Sequence, residues 1–382
     1  MSARPIVIIG SGLAGISVLR ELRKLDREVA VTVITGDDGA FYAKPNLSNA
    51  FALSKNVTQL VQTTAAQLSK QLNARFLTQT QAQAIRTDSQ VVETSAGEQP
   101  YGKLVLAVGA HPIRLPLQGD AAHEVLSVNH LADYAVFRER LAGKRWVAIL
   151  GAGLIGCEFA NDLRTAGFEV EIFDLAPQPL GHLLPLQAAA FLRTKLESIG
   201  IRFHLQRSVI SVDARGSETR LTDDQGLVHS AELVLSAVGL RPATELAATA
   251  GLQVNRGIVV DEYLRNSAED VFALGHCAEV QGLVLPFVQP ILHAARALAK
   301  NLKGEATALH YPVMPVVVKT PACPAVVCPP PQGASGRWLE KVSATGVHSL
   351  FLDAEQRLLG FALVGGETVK DRNALAGKVA TT

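Results

Sequence analysis

The chain has 382 residues, enough for two or three domains and a substantial core. Apolar residues make up 48% and charged residues 19%, the balance of a globular protein, and a net charge of +1 gives bulk electrostatics no argument for nucleic acid. No apolar run reaches the length of a membrane span, and MSARPIVIIG enters a strand with no room for a signal peptide, so a cytoplasmic protein is expected.

Residues 6–15 read IVIIGSGLAG, an apolar run ending in Gly10, Gly12 and Gly15. The pattern predicts a strand, a glycine-rich turn and a helix over 13–25, with Leu19, Leu22 and Leu25 toward a sheet and Arg20, Arg23 and Lys24 outward. A second strand over 29–35 ends at Thr35, with Asp37 and Asp38 the nearest acids. If this turn holds an adenosine ribose, either Asp37 or backbone groups bond it. In FYAKPNLSNAF, residues 41–51, the proline favours an extended Lys44, and Asn46 and Ser48 offer turn and cap chemistry. Lys44 reads either as a solvated charge or as a cofactor contact. A helix is expected over 57–73, then strands over 75–79 and 82–85 and a hairpin through Val91 and Val92. Residues 101–110, YGKLVLAVGA, predict a buried strand ending at Gly109. Pro112 and Pro116 then break the chain at a candidate domain boundary, and loop and helix fill 120–142.

The stretch 147–174 repeats the first turn at an offset of 141 residues, with Gly151, Gly153 and Gly156 matching Gly10, Gly12 and Gly15. In such a turn the first glycine makes the bend and the second lets a pyrophosphate approach the backbone. The third lets the helix lie on the strand, and the free N–H groups of the helix start face the phosphates. Asp174 ends the next strand, where a carboxylate accepts from a ribose 2′-hydroxyl and repels a 2′-phosphate, so NADH is expected over NADPH. A turn that only packs a helix accounts for the glycines and leaves Asp174 unexplained. Here the repeat breaks, because Thr35 stands where the second copy has Asp174. Glu158 reads either as a first-turn acid favoured by the helix dipole or as a functional group.

A helix is expected over 185–200 and strands over 202–205, 209–213 and 220–222. Residues 231–242, AELVLSAVGLRP, mirror 101–112: each is a strand ending in glycine with proline a few residues on. A strand then ends at Gly275, and a helical run follows over 288–302. From about 311 onward the chain reads as a third, α+β domain, with strands over 338–342, 347–352 and 358–364 and a short terminal helix. The fold class is thus α/β, two Rossmann-like domains plus a C-terminal α+β domain. The four cysteines, Cys157, Cys277, Cys323 and Cys328, form no CxxC pair. Cys157 and Cys277 read as packed small residues just inside helices. Cys323 and Cys328 read as free thiols, with a redox disulfide or half a metal site as the alternative. No metal site is expected.

The two GxGxxG folds, the paired strand–Gly–Pro elements and the late GHCAE resemble the two-dinucleotide pyridine nucleotide–disulfide oxidoreductase superfamily over nearly the whole chain. Within it, YAKPNLSNAF, LIGCEFANDL, SAVGLRPATELAATAGLQVNRGIVVD and PVVVKTPACP resemble bacterial rubredoxin–NAD(+) reductases, with flavorubredoxin reductases close by. The resemblance implies FAD in the first fold and NADH in the second. It divides the chain into 1–113 and 245–312 for FAD, an inserted 114–244 for NAD, and a C-terminal domain, 313–382. Cofactor contacts are implied at Ile9, Gly10, Ser11, Gly12, Leu13, Ala14 and Gly15, at Thr35, Asp37, Lys44 and Pro45, and at Ala82, Ala107, Gly109 and Arg114, with FAD spanning Gly10 to Gly15. Gly275, His276 and Val288 complete that set. NADH is implied at the loop of Gly151, Gly153, Leu154, Ile155 and Gly156 and at Asp174, and Val238 and Gly239 are further implied cofactor contacts. Lys44 and Glu158 are implied to pair near the flavin's reactive edge. Lys319 is implied to approach the ring from the third domain, where a cation stabilises an anionic reduced flavin.

Disulfide-using relatives carry a CxxC or CxxxxC pair beside the flavin; the glycine turn GSGLAGIS has no such pair downstream and the mirrored loop has only Cys157, so electrons are expected to leave from the flavin itself. The implied acceptor is rubredoxin, a small acidic iron protein that in such systems often feeds an alkane hydroxylase, and a local basic patch is expected to receive it. Two rivals stand: an NADH-dependent ferredoxin or flavorubredoxin reductase, and a redox-responsive binding protein that holds FAD and NADH without turnover. Val108 replaces a common Thr at little cost, whereas His276 replaces an aspartate that normally accepts from a ribitol hydroxyl. Neutral His accepts through one ring nitrogen only. FAD is therefore expected to bind more weakly, and with pH dependence near the histidine pKa, than in His276→Asp. Dissociation measured for both proteins checks this, and equal affinities at every pH refute it.

Overall fold

The computed structural model describes residues 4–216 and 218–380. They form two compact units, one comprising the chain up to Ala43, Gln59–His111 and Leu240–Tyr311, the other Lys44–Thr58, Pro112–Gly239 and the chain from Pro312.

In the first unit a five-stranded parallel sheet runs in the order Val271–Ala273, Lys103–Leu106, Ile6–Ile9, Val31–Ile34, Arg75–Leu77. Ile6–Ile9 is central and buried along its whole length, which is why it reads as an unbroken apolar run. Helix Leu13–Leu25 follows it and packs on helix Val288–Leu302. The expected helix over 57–73 is instead helix Val57–Leu60, strand Val61–Thr63 and helix Ala65–Gln71. Thr64 starts the last of these with a capping box to Gln67, a restart signal that the expectation overlooked.

The second unit holds a four-stranded parallel sheet in the order Ile201–Leu205, Glu169–Asp174, Trp146–Leu150, Leu233–Ser236. An antiparallel sheet of Val209–Arg215, Glu218–Asp223 and Val228–Ala231 closes a core with it through Leu150, Phe173, Val212 and Leu221. The C-terminal part is a five-stranded antiparallel sheet in the order Val316–Val318, Ala325–Cys328, Leu358–Val364, Val347–Leu352, Arg337–Val342. Helix Leu186–Ser198 packs on its last three strands. Pro185, its N-cap, supplies no side-chain bond; Glu340 of the sheet accepts from the N–H groups of Gln187 and Ala188, both at 3.1 Å. Lys44 is the first residue of a 3-10 helix, Lys44–Asn49, rather than extended, because a helix start tolerates the missing N–H of Pro45. Cys277 closes the 3-10 turn Gly275–Cys277 and is not inside an α-helix. No helix among the described residues is long and apolar enough to cross a membrane.

One outward residue was misassigned by the sequence pattern. Leu25 is half exposed at the helix end, and Arg23 is buried on the face of Leu19 and Leu22. The spacing explains it, since 19, 22 and 23 stand at i, i+3 and i+4. The Arg23 guanidinium donates to the carbonyls of Leu72 (2.5 Å), Asp26 (3.0 Å), Val29 (2.9 Å) and Asn73 (2.8 Å), satisfying loop groups on two sides of the helix end. Arg23→Leu removes a buried guanidinium's four bonds to carbonyls, three of them on half-buried residues, and is expected to lower stability by about 1–3 kcal/mol. Denaturant unfolding of the variant checks the figure, and a loss under ~0.5 kcal/mol contradicts the account.

Candidate functional site

Two glycine turns carry the same backbone. Gly10 and Gly151 have φ of +113° and +108°, in the region that excludes a Cβ. Their N–H groups donate to Ile34 O (2.8 Å) and Phe173 O (2.7 Å), which ties each turn to the neighbouring strand. Gly12 and Gly153 are N-caps at φ −69°, ψ −172° and φ −73°, ψ −171°, and neither has a side-chain cap. The first helical N–H groups are therefore left for a ligand. A Cβ at Gly12 or Gly153 would meet nothing within 4 Å, whereas at Gly15 or Gly156 it would lie 1.9 Å from the carbonyl oxygen of Gly10 or Gly151. The second glycine borders open space and the third borders backbone. This cradle fits a pyrophosphate at each helix start.

The two copies differ beside the turn. Asp174 accepts from Ala152 N (2.5 Å) and Ala176 N (2.7 Å), so its carboxylate braces the turn itself. In the first copy Ser11 occupies the place of Ala152. Its hydroxyl donates to Thr35 Oγ1 (3.0 Å), and Thr35 donates to Asp37 Oδ1 (2.6 Å), which also accepts from Gly39 N (2.9 Å). Asp37 thus takes the place of an acid at the strand end through a relay of hydroxyls. Both arrangements leave a carboxylate near the end of the second strand, where a ribose is expected.

Glu158 lies in helix Leu154–Thr165 and is fully buried. Its Oε1 accepts from Lys319 N (2.9 Å), and its Oε2 accepts from Ser48 Oγ (2.6 Å) and forms an ion pair with Lys319 Nζ. Lys319 Nζ also donates to Pro45 O (2.8 Å) and Ser48 Oγ (3.2 Å). A buried carboxylate needs this full set of donors. The resemblance placed Lys44 beside Glu158; the structure puts Lys319 there and bonds Lys44 Nζ to Asn129 Oδ1 at 3.3 Å. Nearby, Asp162 Oδ2 and Oδ1 accept from Phe51 N (3.0 Å) and Ala52 N (2.8 Å), and Asn161 Oδ1 accepts from Ala322 N (3.1 Å). Helix Leu154–Thr165 thereby holds both the Lys44–Asn49 segment and the turn after Lys319. Ser48 was noted in the sequence only as turn chemistry. Asp162 and Asn161 gave no signal, since their partners are backbone groups distant in sequence.

The remaining expected contacts sort by unit. Ile9, Ala14, Thr35 and Ala107 are buried in the first unit, with Leu13, Ala82, Gly109, Gly275 and His276 half-buried and Asp37 and Val288 exposed. In the second, Pro45, Leu154, Asp174, Val238 and Lys319 are half-buried, and Arg114, Ile155 and Gly239 are exposed. All four cysteines are free and buried. Burial pushes the thiols of Cys277, Cys323 and Cys328 up to about 11 and that of Cys157 higher still. These are poor nucleophiles at neutral pH.

Residues 4–300 match the family described as pyridine nucleotide-disulphide oxidoreductase. The chain belongs to this family. Residues 308–379 match a second description, rubredoxin binding C-terminal domain. The chain is 46% identical to a rubredoxin-NAD(+) reductase of Alcanivorax borkumensis over 97% of both chains. It is 35% identical to a nitric oxide reductase FlRd-NAD(+) reductase of Aliivibrio fischeri over 99% of both. Among solved structures, a ferredoxin reductase from Rhodopseudomonas palustris superposes with a TM-score of 0.89 at 25% identity, covering 99% of this chain and 96% of that one. Membership gives the chain FAD and NAD(H) as its cofactors.

The cradle geometry predicts opposite outcomes for neighbouring glycines. Gly153→Ala keeps an allowed backbone and is expected to fold with stability unchanged within ~0.5 kcal/mol, but to raise the KM for NADH about tenfold or more by filling the phosphate's space. Gly156→Ala drives a methyl into Gly151 O and is expected to cost more than ~2 kcal/mol. Melting curves and NADH titrations of both separate the roles; equal behaviour contradicts the assignment.

Proposed function

We propose that the chain is an NADH:rubredoxin oxidoreductase. The observation that carries this is the joining of two dinucleotide cradles to a C-terminal segment, 308–379, that matches a rubredoxin-binding domain. The 46% identity to a rubredoxin-NAD(+) reductase over 97% of both chains supports it. The residues of the Gly10 turn would hold FAD, which would supply the redox chemistry that links a two-electron hydride donor to a one-electron iron carrier. The chain's own residues do the rest. The turns at Gly10 and Gly151 hold the pyrophosphates on helix starts, and Asp174 and Asp37 take the ribose hydroxyls. No side chain need move a proton for hydride transfer, so Lys44, Glu158 and Lys319 serve positioning and electrostatics. The domain division is 1–113 with 245–312 for FAD, 114–244 for NAD and 313–382 for the acceptor. The setting is the cytoplasm.

A flavorubredoxin acceptor is the second reading, favoured by the Aliivibrio relative but at 35% identity rather than 46%. Steady-state NADH oxidation with purified rubredoxin, flavorubredoxin and ferredoxin decides between them. Rubredoxin is expected to give the highest kcat/KM by about tenfold or more. A higher value with another carrier replaces the reading, and absence of flavin bleaching by NADH removes the enzyme altogether. Asp174→Ala also loses its bond from Ala152 in the glycine turn and its bond from Ala176, so both nucleotides are expected to bind less well. The ratio of NADPH to NADH turnover should nonetheless rise, because the charge opposing a 2′-phosphate is gone. An unchanged ratio counts against Asp174 as the selector.

A further inference from the structure

Away from both cradles, the second unit gathers two histidines and two acids that no expected role uses. Glu171 stands on strand Glu169–Asp174, His204 on Ile201–Leu205 and His229 on Val228–Ala231. One ligand atom from each lies within 4.8 Å of the others. Glu171 Oε2 is 3.0 Å from His204 Nε2. The His204 ring is stacked on Phe173, centroids 4.5 Å apart at 11°, and His229 stands edge-on to it at 4.6 Å. His229 Nε2 faces Asp223 Oδ2 at 3.3 Å, and the Asp223 side chain is almost fully buried. We propose that Glu171, His204 and His229 form a transition-metal site, with Asp223 orienting His229 from behind.

The donor set fits the chemistry. Two imidazoles and one carboxylate, with a water completing a tetrahedron, suit zinc, cobalt, nickel or copper rather than magnesium or calcium. Tetrahedral nitrogen and oxygen ligands at ~2.1 Å lie about 3.4 Å apart, so a pair at the 4.8 Å limit closes by about 1.4 Å on the ion. The ion replaces the proton now shared between Glu171 and His204. A histidine that gives its second nitrogen to a carboxylate is a usual feature of such centres, and Asp223 provides that partner. Arg202 occupies only Oε1, through Nε at 3.0 Å and Nη2, and leaves Oε2 to the ion. Arg207 lies behind Asp223, its Nη1 3.8 Å from Oδ2. The charges of these arginines are offset by the two carboxylates, so the site rests on its imidazoles. Three strands, all β-ladder members, hold the ligands, and the first of them ends in Asp174 three residues after Glu171.

The test uses the FAD-loaded enzyme stripped with a chelator and titrated with zinc chloride in a calorimeter. One ion per chain is expected, with a dissociation constant of about 10 µM or tighter. His204→Gln and His229→Gln are each expected to weaken binding at least tenfold, and the exposed His182→Gln to leave it unchanged. Zinc-edge X-ray absorption of the wild type is expected to show two imidazoles with oxygen and no sulfur, a readout that does not depend on the variants folding. No heat of binding at ~100 µM zinc, unchanged zinc affinity in both His204→Gln and His229→Gln, or sulfur among the ligands each overturns the proposal.

Discussion

Both dinucleotide cradles depend on one close approach, that of a helix backbone to the turn that precedes it. At Gly15 and Gly156 a single methyl would sit 1.9 Å from a carbonyl oxygen. That distance fixes where each helix starts, and so where its unsatisfied N–H groups point. The five-stranded and four-stranded parallel sheets then set the angle, since Gly10 and Gly151 are bonded to the neighbouring strand through their own N–H groups. Helix packing, phosphate recognition and sheet order are thus one geometric solution used twice.

What differs between the copies is what stands around the turn. In the second copy the acid at the strand end reaches straight back to Ala152 N; in the first, Ser11 and Thr35 carry the link to Asp37. The second helix also bears Glu158, Asn161 and Asp162, three buried polar residues whose partners come from 44–52 and from 319–322. The first helix has Arg23 in the comparable service of tying loops to a helix, but through its other end. Both helices therefore fasten segments distant in the chain, the second from its first turns and the first from its last.

The sequence made the repeated architecture legible because glycine spacing and apolar runs are local signals. Helix Val288–Leu302 and strands Val347–Leu352 and Leu358–Val364 fall where the periodicity puts them. The departures have local causes too: charge points Arg23 outward while its i, i+4 relation to Leu19 points it inward, and the Thr64–Gln67 box restarts a helix inside an apparently continuous helical run. Lys319 as the partner of Glu158 was not legible, because 161 residues separate them and only folding brings them together. The same holds for Glu171, His204 and His229, which lie on three strands and share no motif. Strand registry places them, and registry is not written in spacing.

The acid at 340 has a consequence for how this molecule can be cut or recombined. Helix Leu186–Ser198 begins on a proline and borrows its cap from a strand more than a hundred residues later. A fragment ending before Pro312 would leave that helix start open and uncover the face it turns to strands Arg337–Val342, Val347–Leu352 and Leu358–Val364. The carrier-docking segment is thus not a detachable cassette. A chimera that imports it from a distant relative must import a carboxylate in the same register, or refit the nucleotide-binding half to live without one.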